Sequence, residues 1–571
     1  MSTIVVSDLA YAHPGGDLLF SQVDFRVPAG RHAALVGANG VGKSTLLRVL
    51  AGRLPADEGD ARATGEIAYM PQDVGLATAD DRGEELSVRQ LLLSVAPPAL
   101  AAVGARMAAA ELETTDPDPE RAAAAGMRFA EEIEAWSSGG GYQLEGDWDA
   151  ACRRVLGLGL RDVAERSAAT LSGGERKGLV LELLLAGDAP TLLLDEPDNF
   201  LDLPAKHRLE QAIRDSRKTI LFVSHDRELL ARASNMVVTL EGSGAWVHGS
   251  SYADYPEARE ARNERLGDAL KRWQEEERRL FRYFKDLKVK ARVSEVMARK
   301  AEVAEARWER FVAAGPPPPP VVDHAIKVRL RGGDSARRVL DLRAVRIPDL
   351  TRPISDELHA GERVGLIGPN GSGKTHLLRL LGQAAATVAG AGGDPADVPP
   401  TAEPATDGGS RVPYEGRIVV GPRVVPGVFT QTNVRPELAD GSLLEVVMRR
   451  LPDRAKAMAS LARYGLVDAA DRTHDTLSGG QKARLEILCL ELEGCNLLLL
   501  DEPTDNLDID SCEALEQALE GFEGTIVAVS HDRAFLRRLD RFLLLAHDGS
   551  VRPYPDPERA IDALAAGVGS R

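Results

Sequence analysis

Two short segments of this chain have the residue types and spacing that bind the phosphates of a nucleotide. Residues 37–44 and 368–375 both fit the pattern G-x-x-x-x-G-K-[ST]. In such a loop the glycines let backbone N–H groups surround phosphate oxygens, the lysine neutralises their charge, and the hydroxyl binds Mg²⁺. The predicted phosphate-binding residues are Gly37, Ala38, Asn39, Gly40, Val41, Gly42, Lys43, Ser44 and Thr45 in the first segment, and Gly368, Pro369, Asn370, Gly371, Ser372, Gly373, Lys374, Thr375 and His376 in the second.

Each segment lies in the local context that this chemistry requires. An apolar run precedes it, at residues 33–36 and 364–367, and a leucine-rich stretch of helical character follows it. We therefore predict that each loop connects a buried strand to the N-terminus of a helix.

Three further motifs follow each loop in the same order: L-S-G-G, an apolar run that ends in Asp-Glu, and Ser-His-Asp. In both copies the motif serine precedes the aspartate of Asp-Glu by 23 positions, and that aspartate precedes the histidine by 30 positions. Equal intervals across four motifs leave little room for chance, so the chain contains two copies of one nucleotide-hydrolysing unit. The residues are Ser172, Asp195, Glu196 and His225 in the first copy, and Ser478, Asp501, Glu502 and His531 in the second.

In order and spacing, these motifs resemble those of the ATP-binding cassette superfamily over nearly the whole chain. The resemblance implies an α/β fold with two tandem cassettes, Mg²⁺-dependent ATP hydrolysis, and ATP and Mg²⁺ as cofactors. It also implies that the cassettes close head to tail within a monomer, so that each ATP site combines a phosphate loop with the opposite signature motif. In this arrangement Ser478 and Gly480 complete the site built on Lys43, and Ser172 and Gly174 complete the site built on Lys374.

The same resemblance implies roles for individual side chains. The implied catalytic residues are Glu196 and Glu502, which polarise the attacking water, and His225 and His531, which contact the γ-phosphate. Gln72 and Gln431 look like Q-loop residues that link Mg²⁺ to the helical subdomain, and Asp202 and Asp508 look like D-loop residues. The implied metal ligands are Ser44, Gln72, Asp195, Thr375, Gln431 and Asp501.

Two features distinguish the copies. Tyr11 stands where the family usually has an aromatic side chain that stacks on adenine, although a strand tyrosine that covers the core is an equally good interpretation. Ile347 is its nearest equivalent in the second copy. Asp198 and Phe200 replace the threonine and histidine that are common in the family, whereas the second copy keeps Thr504. We therefore expect the two sites to hydrolyse ATP at different rates.

Length and composition limit the class of protein. The 571 residues leave room for two large domains and a connector. No stretch approaches the roughly eighteen uncharged apolar residues of a spanning helix, and residues 1–8 lack the basic and apolar regions of a signal peptide. The four cysteines form no C-x-x-C pair, which fits free thiols in a reducing cytosol. We predict a cytoplasmic protein without a membrane segment.

Between the cassettes, residues 255–314 are highly charged and have the pattern of two long helices. Pro256 suits a first helical turn, and Gly315 with the prolines after it ends the second helix. Apolar residues at heptad-like intervals, interrupted at Glu277, predict an antiparallel coiled coil. They are Leu266, Leu270, Trp273, Leu280, Phe284 and Leu287 in the first helix, and Met297, Ala301, Ala304, Trp308 and Phe311 in the second.

The tip of this hairpin, residues 278–300, is strongly basic. It has nine Lys or Arg residues and two acidic residues in a chain of net charge −17. A solvated helical face is one interpretation. We favour RNA binding, because Phe281, Tyr283 and Phe284 lie among the positive charges and suit unpaired bases. The predicted RNA contacts are Arg282, Lys285, Lys288, Lys290 and Arg292.

Two cassettes joined by a charged two-helix linker resemble the ABC-F family, whose members bind the ribosome near the tRNA exit site and direct the linker towards the peptidyl-transferase centre. The resemblance implies a ribosome-binding ATPase, with rRNA and tRNA as contacts, and within the family we favour antibiotic resistance by ribosome protection. The predicted parts are a first cassette (1–250) with an enlarged helical subdomain (83–154), a linker (251–320), and a second cassette (321–571) with a disordered insertion (384–410). The insert at 83–154 is a candidate for the additional ribosome-contacting arm of some members.

Three other functions stay open. The chain could be a general translation factor of the same family. It could be the soluble ATPase of a transporter with a separate membrane chain, although that predicts a short linker without a basic tip. A DNA-associated cassette ATPase would more naturally carry a basic C-terminal coiled coil, and here residues 532–571 leave little room for one.

Overall fold

We describe the protein from a computed structural model. The described residues are 2–568, apart from 14, 17, 73–84, 116–117, 291–294, 321–327, 331, 334, 391–395, 399–410, 430–440 and 506. At 396–397 and 565–568 only the backbone is described.

Each cassette is built on a six-stranded sheet in which five strands are parallel and the last edge strand is antiparallel. The strands that end in Asp-Glu are buried along their whole length, as expected for parallel strands covered on both faces. In spatial order the first sheet contains Ile67–Met70, Thr191–Asp195, Thr219–Val223, His32–Val36, Met236–Leu240 and Ala245–His248. The second contains Pro426–Phe429, Leu497–Asp501, Thr525–Val529, Arg363–Ile367, Arg541–Leu545 and Val551–Tyr554.

A smaller antiparallel sheet flanks the phosphate-loop side of each core. Its strands alternate buried and exposed residues, so one face packs on the core. The first consists of Leu18–Val27, Ile4–Ala12 and Glu58–Ala63, and the second of Ile354–His359, Arg338–Arg346, Glu415–Val420 and Ala396–Val398.

Helices cover the sheets, and both candidate phosphate loops connect a buried strand to a helix, which confirms the predicted α/β tandem-cassette fold. In the first cassette the helices are Lys43–Leu50, Val88–Leu93, Pro98–Glu113, Pro119–Ser138, Gly141–Leu156, Leu160–Val163, Gly173–Ala186, Leu203–Asp215 and Arg227–Ala233. In the second they are Lys374–Gly390, Leu443–Arg450, Arg454–Arg463, Gly479–Glu493, Ile509–Glu520, Arg533–Leu536 and Pro557–Val568.

The enlarged helical subdomain of the first cassette contains a paired helical arm, Pro98–Glu113 and Pro119–Ser138. A bidentate ion pair joins the two helices, in which Arg106 donates to both carboxylate oxygens of Glu132 at 2.6 and 3.0 Å. Trp136 is buried and packs near Trp148, with ring centroids 6.1 Å apart. These contacts attach the arm to the subdomain.

The linker forms two helices, Tyr255–Lys290 and Glu295–Ala313, as predicted. Phe284 stacks on Trp308 with an interplanar angle of 9°. The break in the apolar pattern has a structural role, because Trp308 Nε1 donates a hydrogen bond to Glu277 at 3.0 Å. The prediction that Phe281, Tyr283 and Phe284 face unpaired bases is wrong for Phe281 and Phe284, whereas the coiled-coil prediction, which placed Phe284 between the helices, is confirmed. Phe281 and Phe284 pack inside the hairpin, and only Tyr283 is well exposed.

The prediction of a disordered insertion at 384–410 is wrong at its start. Residues 384–390 extend the helix Lys374–Gly390, and Ala384, Ala385 and Val388 are buried in the core. These residues continue the helix because small apolar side chains at helical spacing are enough to pack against the core. Residues 396–398 form a strand, and most of the remaining insertion lies outside the described residues.

Candidate functional site

Both phosphate loops hold their lysine against their own backbone. Lys43 Nζ donates to the carbonyl oxygens of Gly37 and Ala38 at 2.7 and 3.1 Å. Lys374 makes the equivalent bonds to Gly368 and Pro369 at 2.9 and 3.0 Å. Burial lowers the pKa of Lys43, so its charge is stabilised best when an anion enters the loop. The loops are therefore arranged to receive phosphate.

A glycine is required where the first loop meets its helix. Gly42 has a φ of 104°, in the left-handed region. A Cβ atom there would lie 2.7 Å from Phe20 Cδ1. Glycine at this position therefore lets the loop pack closely against Phe20.

The donor set beside each loop fits Mg²⁺. Ser44 Oγ donates to Asp195 Oδ1 at 3.0 Å, and Thr375 Oγ1 donates to Asp501 Oδ1 at 3.2 Å. The second carboxylate oxygen of Asp195 is buried and has no hydrogen-bond partner among the described residues. Hydroxyl and carboxylate oxygens are the ligands that Mg²⁺ prefers. A cation here would satisfy the unpaired oxygen.

Glu196 occupies a strained and polar position beside the first loop. Its φ is +49°, which is uncommon for a residue other than glycine. Its carboxylate accepts hydrogen bonds from Gln72 Nε2 at 2.6 Å and Asn199 Nδ2 at 2.5 Å. Burial, with the nearby charges of Asp195 and Asp198, raises the pKa of Glu196 to about 7. This value suits a group that exchanges a proton near neutral pH.

In the part of the chain that the structure describes, Glu502 has other partners at the second loop. Its φ is +50°, and its carboxylate accepts a hydrogen bond from the backbone N–H of His531 at 3.0 Å. Burial, with the charge of Asp505, raises its pKa to about 8. The two glutamates therefore share a backbone geometry, and their carboxylates have different partners among the described residues, which do not include Gln431.

The two switch histidines are neutral. His225 Nε2 lies 3.7 Å from the Glu196 carboxylate, and His531 Nε2 lies 3.6 Å from that of Glu502. Burial, followed by the charge of Lys43, lowers the pKa of His225 to about 3, and burial also lowers the pKa of His531 strongly. A neutral imidazole can donate one N–H to an anionic oxygen and accept a bond at its other nitrogen.

Each signature motif lies across the interface from the opposite phosphate loop. A cavity of about 580 Å³ brings the first phosphate loop and its catalytic candidates to the signature residues of the second cassette. Its lining includes Asn39, Gly40, Gly42, Lys43, Ser44, Thr45, Gln72, Glu196, His225, Ser478 and Gly480. A second cavity of about 370 Å³ is lined by Asn370, Gly371, Gly373, Lys374, Thr375, His376, Asp501, Glu502 and His531 together with Ser172 and Gly174.

The signature serines begin the helices Gly173–Ala186 and Gly479–Glu493. Ser172 forms a capping box with Glu175, and Ser478 forms one with Gln481. The helix N-termini therefore point into the cavities, where a phosphate would be stabilised. Close packing also joins the cassettes, since Asn370 Nδ2 donates to the carbonyl oxygen of Phe200 at 3.0 Å and a Cβ atom on Gly174 would lie 2.9 Å from Asn370 Nδ2.

Some predicted site residues lie elsewhere. Tyr11 is buried in the core beside Phe20, and His13 and Leu19 line the cavity instead. Because Tyr11 packs in the core cluster and does not line the cavity, the structure favours the core interpretation of this residue. Ile347 is also buried. Six of the predicted phosphate-binding residues belong to the loops but do not line the two cavities. They are Val41, Ser372 and the outermost loop residues Gly37, Ala38, Gly368 and Pro369. Gln431 and Arg292 lie outside the described residues.

Sequence reasoning missed two differences on the signature helices. Lys177 is fully buried and donates to the backbone carbonyl of Glu196 at 2.5 Å, whereas Ala483 stands at the equivalent position. Arg484 lines the first cavity, whereas Gly178 is its counterpart. Counting positions from each signature serine would have revealed both differences.

The linker begins at the edge of the first cavity. A small adjoining cavity is lined by Lys43 and His225, by Tyr252 and Tyr255 at the start of the linker, and by Asp508 of the second cassette. Tyr255 accepts a hydrogen bond from Thr239 Oγ1 at 2.9 Å. The first linker helix is thus packed beside a phosphate loop.

Comparisons with known proteins agree with this geometry. The family model described as "ABC transporter" matches residues 20–199 and 351–505. An "Antibiotic resistance protein" of Mycobacteroides abscessus is 41% identical over 98% of this chain and 100% of its own length. The "Tylosin resistance ATP-binding protein TlrC" of Streptomyces fradiae is 32% identical over 94% of this chain and 95% of its own.

Solved structures show the same fold. The chain named "RNase-L Inhibitor" is 19% identical, with a TM-score of 0.57, over 99% of this chain and 93% of its own. None of the described helices has the length and apolar character needed to cross a lipid bilayer. The matched family model and the two resistance relatives show that this chain belongs to the ATP-binding cassette family, as a tandem-cassette member of the ABC-F type.

Proposed function

We propose that the protein is an ATP hydrolase with two composite sites, which binds the ribosome in its ATP-closed state and protects it from ribosome-targeting antibiotics. The observation that carries the proposal is the packing of the linker base against the first cavity. Closure around ATP would then reposition a 36-residue helix, about 54 Å long at about 1.5 Å per residue. The hairpin would act near the peptidyl-transferase centre.

Hydrolysis rests on the residues that surround each phosphate loop. Mg²⁺, when bound by Ser44 and Asp195, neutralises phosphate charge. Glu196 would hold the attacking water and take up its proton, since its raised pKa favours proton acceptance near pH 7. The neutral His225 would donate to the γ-phosphate, and Ser478 would close over it from the second cassette. The second site would use Glu502, His531 and Ser172 in the same way.

The positive charge at the tip of the hairpin supports RNA as the molecule that the linker contacts. Lys285 lies over the ring of Phe281 and Lys288 over that of Phe284, at 4.9 and 4.8 Å, so both cations are held in fixed positions by the hairpin core. Lys288 also pairs with Glu305 at 3.2 Å, which reduces its free charge. Lys285, Arg282 and Lys290 are therefore the best placed of the described candidates for phosphate contacts.

The names of the relatives favour resistance over a general role in translation. Two of them, over nearly the full chain, are named as resistance proteins. A transporter ATPase is less well supported, since it gives the long basic hairpin no role. The general translation factor remains the second candidate within the family.

Expression in a drug-sensitive bacterium tests this proposal. Growth would be scored against antibiotics of several classes that bind the large ribosomal subunit, including macrolides. We expect raised resistance to at least one class, which is lost in Glu196→Gln, Glu502→Gln and in Arg282→Ala, Lys285→Ala, Lys290→Ala. Unchanged sensitivity to every class, with the protein expressed and folded, would contradict the resistance role.

A further inference from the structure

Two arginines directly after the switch motifs cross the interface between the cassettes. Arg227 of the first cassette hydrogen-bonds Glu516 of the second, and Arg533 of the second hydrogen-bonds Glu210 of the first. Both glutamates lie 15 positions after the aspartate of Asp-Glu in their own cassette, so the two pairs are related by the internal duplication. We call these four residues the interface quartet.

The interface quartet is buried. The side chain of Glu516 is 0% exposed and that of Glu210 4%, while those of Arg227 and Arg533 are 17% and 6% exposed. A buried ion pair resists separation in a medium of low polarity, and each glutamate has a second partner in its own cassette, Arg538 at 3.1 Å from Glu516 and Arg232 at 3.8 Å from Glu210. Opening the interface therefore has to break both pairs or move their helices together.

Each arginine also reaches the switch segment of the opposite site. Arg227 Nη2 lies 3.9 Å from Asp532 Oδ2, and Arg533 Nη2 lies 3.9 Å from Asp226 Oδ1. Asp226 and Asp532 directly follow the switch histidines and cap the short helices after them, accepting bonds from backbone N–H groups at 2.9 and 2.8 Å. The two switch segments thus contact one another through crossed charge pairs.

Glu516 and Glu210 connect the paired switch segments to the helices that follow the D-loop aspartates. Glu516 lies on the helix Ile509–Glu520, which Asp508 caps, and Asp508 faces Lys43 and His225 of the first site. Glu210 lies on the helix Leu203–Asp215, which Asp202 caps. Each pair therefore joins a switch segment to the helix that carries the D-loop aspartate of the other cassette.

We infer that Arg227 and Arg533 are positioning residues that make the two ATP sites interdependent, by tying each switch histidine to the opposite cassette through the interface quartet. The inference rests on the composite sites proposed above. When one site loses its ligand and its switch segment moves, the crossed pairs displace the other switch histidine.

Single-site turnover tests this inference without ribosomes. In Glu502→Gln the second site binds ATP but does not hydrolyse it, and in Lys374→Ala that site loses ATP binding, so both variants report turnover at the first site. The ratio of their rates is the coupling factor. Couplings of about 5- to 150-fold are typical. We expect a factor of at least about fivefold, which falls to within about twofold of unity when Arg227→Gln and Arg533→Gln are added.

Two further variants distinguish a positioning role of the arginines from a general weakening of the interface between the cassettes. Glu210→Gln with Glu516→Gln should abolish coupling equally, and adding it to the arginine variants should cause no further loss. Arg537→Gln is the matched control, because Arg537 also crosses the interface, to Glu228, but its side chain is 38% exposed and it does not contact a switch aspartate. It should preserve the coupling factor.

An unchanged coupling factor in the arginine variants would overturn the inference, as would an equal loss in Arg537→Gln. The composite sites are tested separately, by replacing Ser172 or Ser478 with alanine in variants in which only one site hydrolyses ATP. If each serine affected the site of its own cassette, the assignment of the composite sites would be contradicted. If each serine affected the opposite site but the coupling factor were unchanged in the arginine variants, only the role of the interface quartet would be contradicted.

Discussion

Arg259, near the start of the first linker helix, pairs with Asp510 of the second cassette, and their Nη1 and Oδ1 atoms lie 3.3 Å apart. Asp510 follows the D-loop aspartate Asp508 by two positions. The linker is thus fixed at its base to both cassettes, because Tyr255 bonds the first cassette through Thr239. This contact joins the first linker helix to the helix that Asp508 caps.

Loss of the Arg259–Asp510 ion pair should leave ATP hydrolysis intact but weaken its effect on the linker. We expect Arg259→Gln to leave ATPase activity without ribosomes within about twofold, since a partly exposed pair contributes only about 1 kcal/mol. Its ATP-dependent affinity for ribosomes should fall by about fivefold or more. Arg262→Gln is the control, because Arg262 lies on the same linker helix but pairs with Glu241 of the first cassette. Equal effects of both variants on ribosome affinity would contradict a role for the interdomain pair.

Turnover at both sites should depend on pH. The pKa of Glu196 is raised to about 7 and that of Glu502 to about 8, in both cases mainly by burial. A base must be deprotonated to act, so turnover rises as pH increases through the pKa of each glutamate. We expect turnover at the first site, measured in Glu502→Gln, and at the second, measured in Glu196→Gln, to rise as pH increases through the neutral range. Turnover that falls over this range at either site would show that other groups set the profile.

The signature serines should act on the opposite phosphate loops. In the Glu502→Gln background, where only the first site turns over, we expect Ser478→Ala to reduce hydrolysis by about tenfold and Ser172→Ala to change it less than about twofold. In the Glu196→Gln background the effects should be exchanged. Both variants remove the same type of helix cap, which costs about 1 kcal/mol, so stability is matched. A serine that affected its own cassette instead would contradict the composite sites.

Gly174 should be required for closure of the second site. A methyl group there would lie 2.5 Å from the carbonyl oxygen of Phe200 and 2.9 Å from Asn370 Nδ2. We expect Gly174→Ala to lower turnover at the second site by about tenfold or more, measured in Glu196→Gln. Gly178→Ala is the control, because its methyl group would meet only the side chain of Val155, at 3.3 Å. Tolerance of Gly174→Ala would show that the interface can relax.

Much of the fold and site could be predicted because the motifs depend on local backbone geometry. A phosphate loop needs its strand and helix whatever surrounds them, so the positions of Lys43 and Lys374 followed from spacing alone. The equal intervals of the duplication also predicted which residues would occupy equivalent positions. The pairing of loops with opposite signature motifs came from family resemblance.

Other features depend on side-chain direction, which the sequence does not reveal. Tyr11 packs in the core cluster and does not line the cavity. On the linker helix, the apolar pattern placed Phe284 but not Phe281 between the helices, and contacts with Trp308 show that both face inward. The interface quartet joins residues about 300 positions apart, as with Arg227 and Glu516, which no local pattern indicates.

The most direct test of the account is sedimentation of Glu196→Gln, Glu502→Gln protein with purified ribosomes, with and without ATP. Gln keeps the shape of each glutamate but cannot accept the proton of water, so ATP should be held and the closed state should accumulate. We predict stoichiometric, ATP-dependent co-sedimentation, weakened at least about tenfold by Arg282→Ala, Lys285→Ala, Lys290→Ala. Absence of ATP-dependent binding by a protein that retains ATP would contradict the ribosome as its partner.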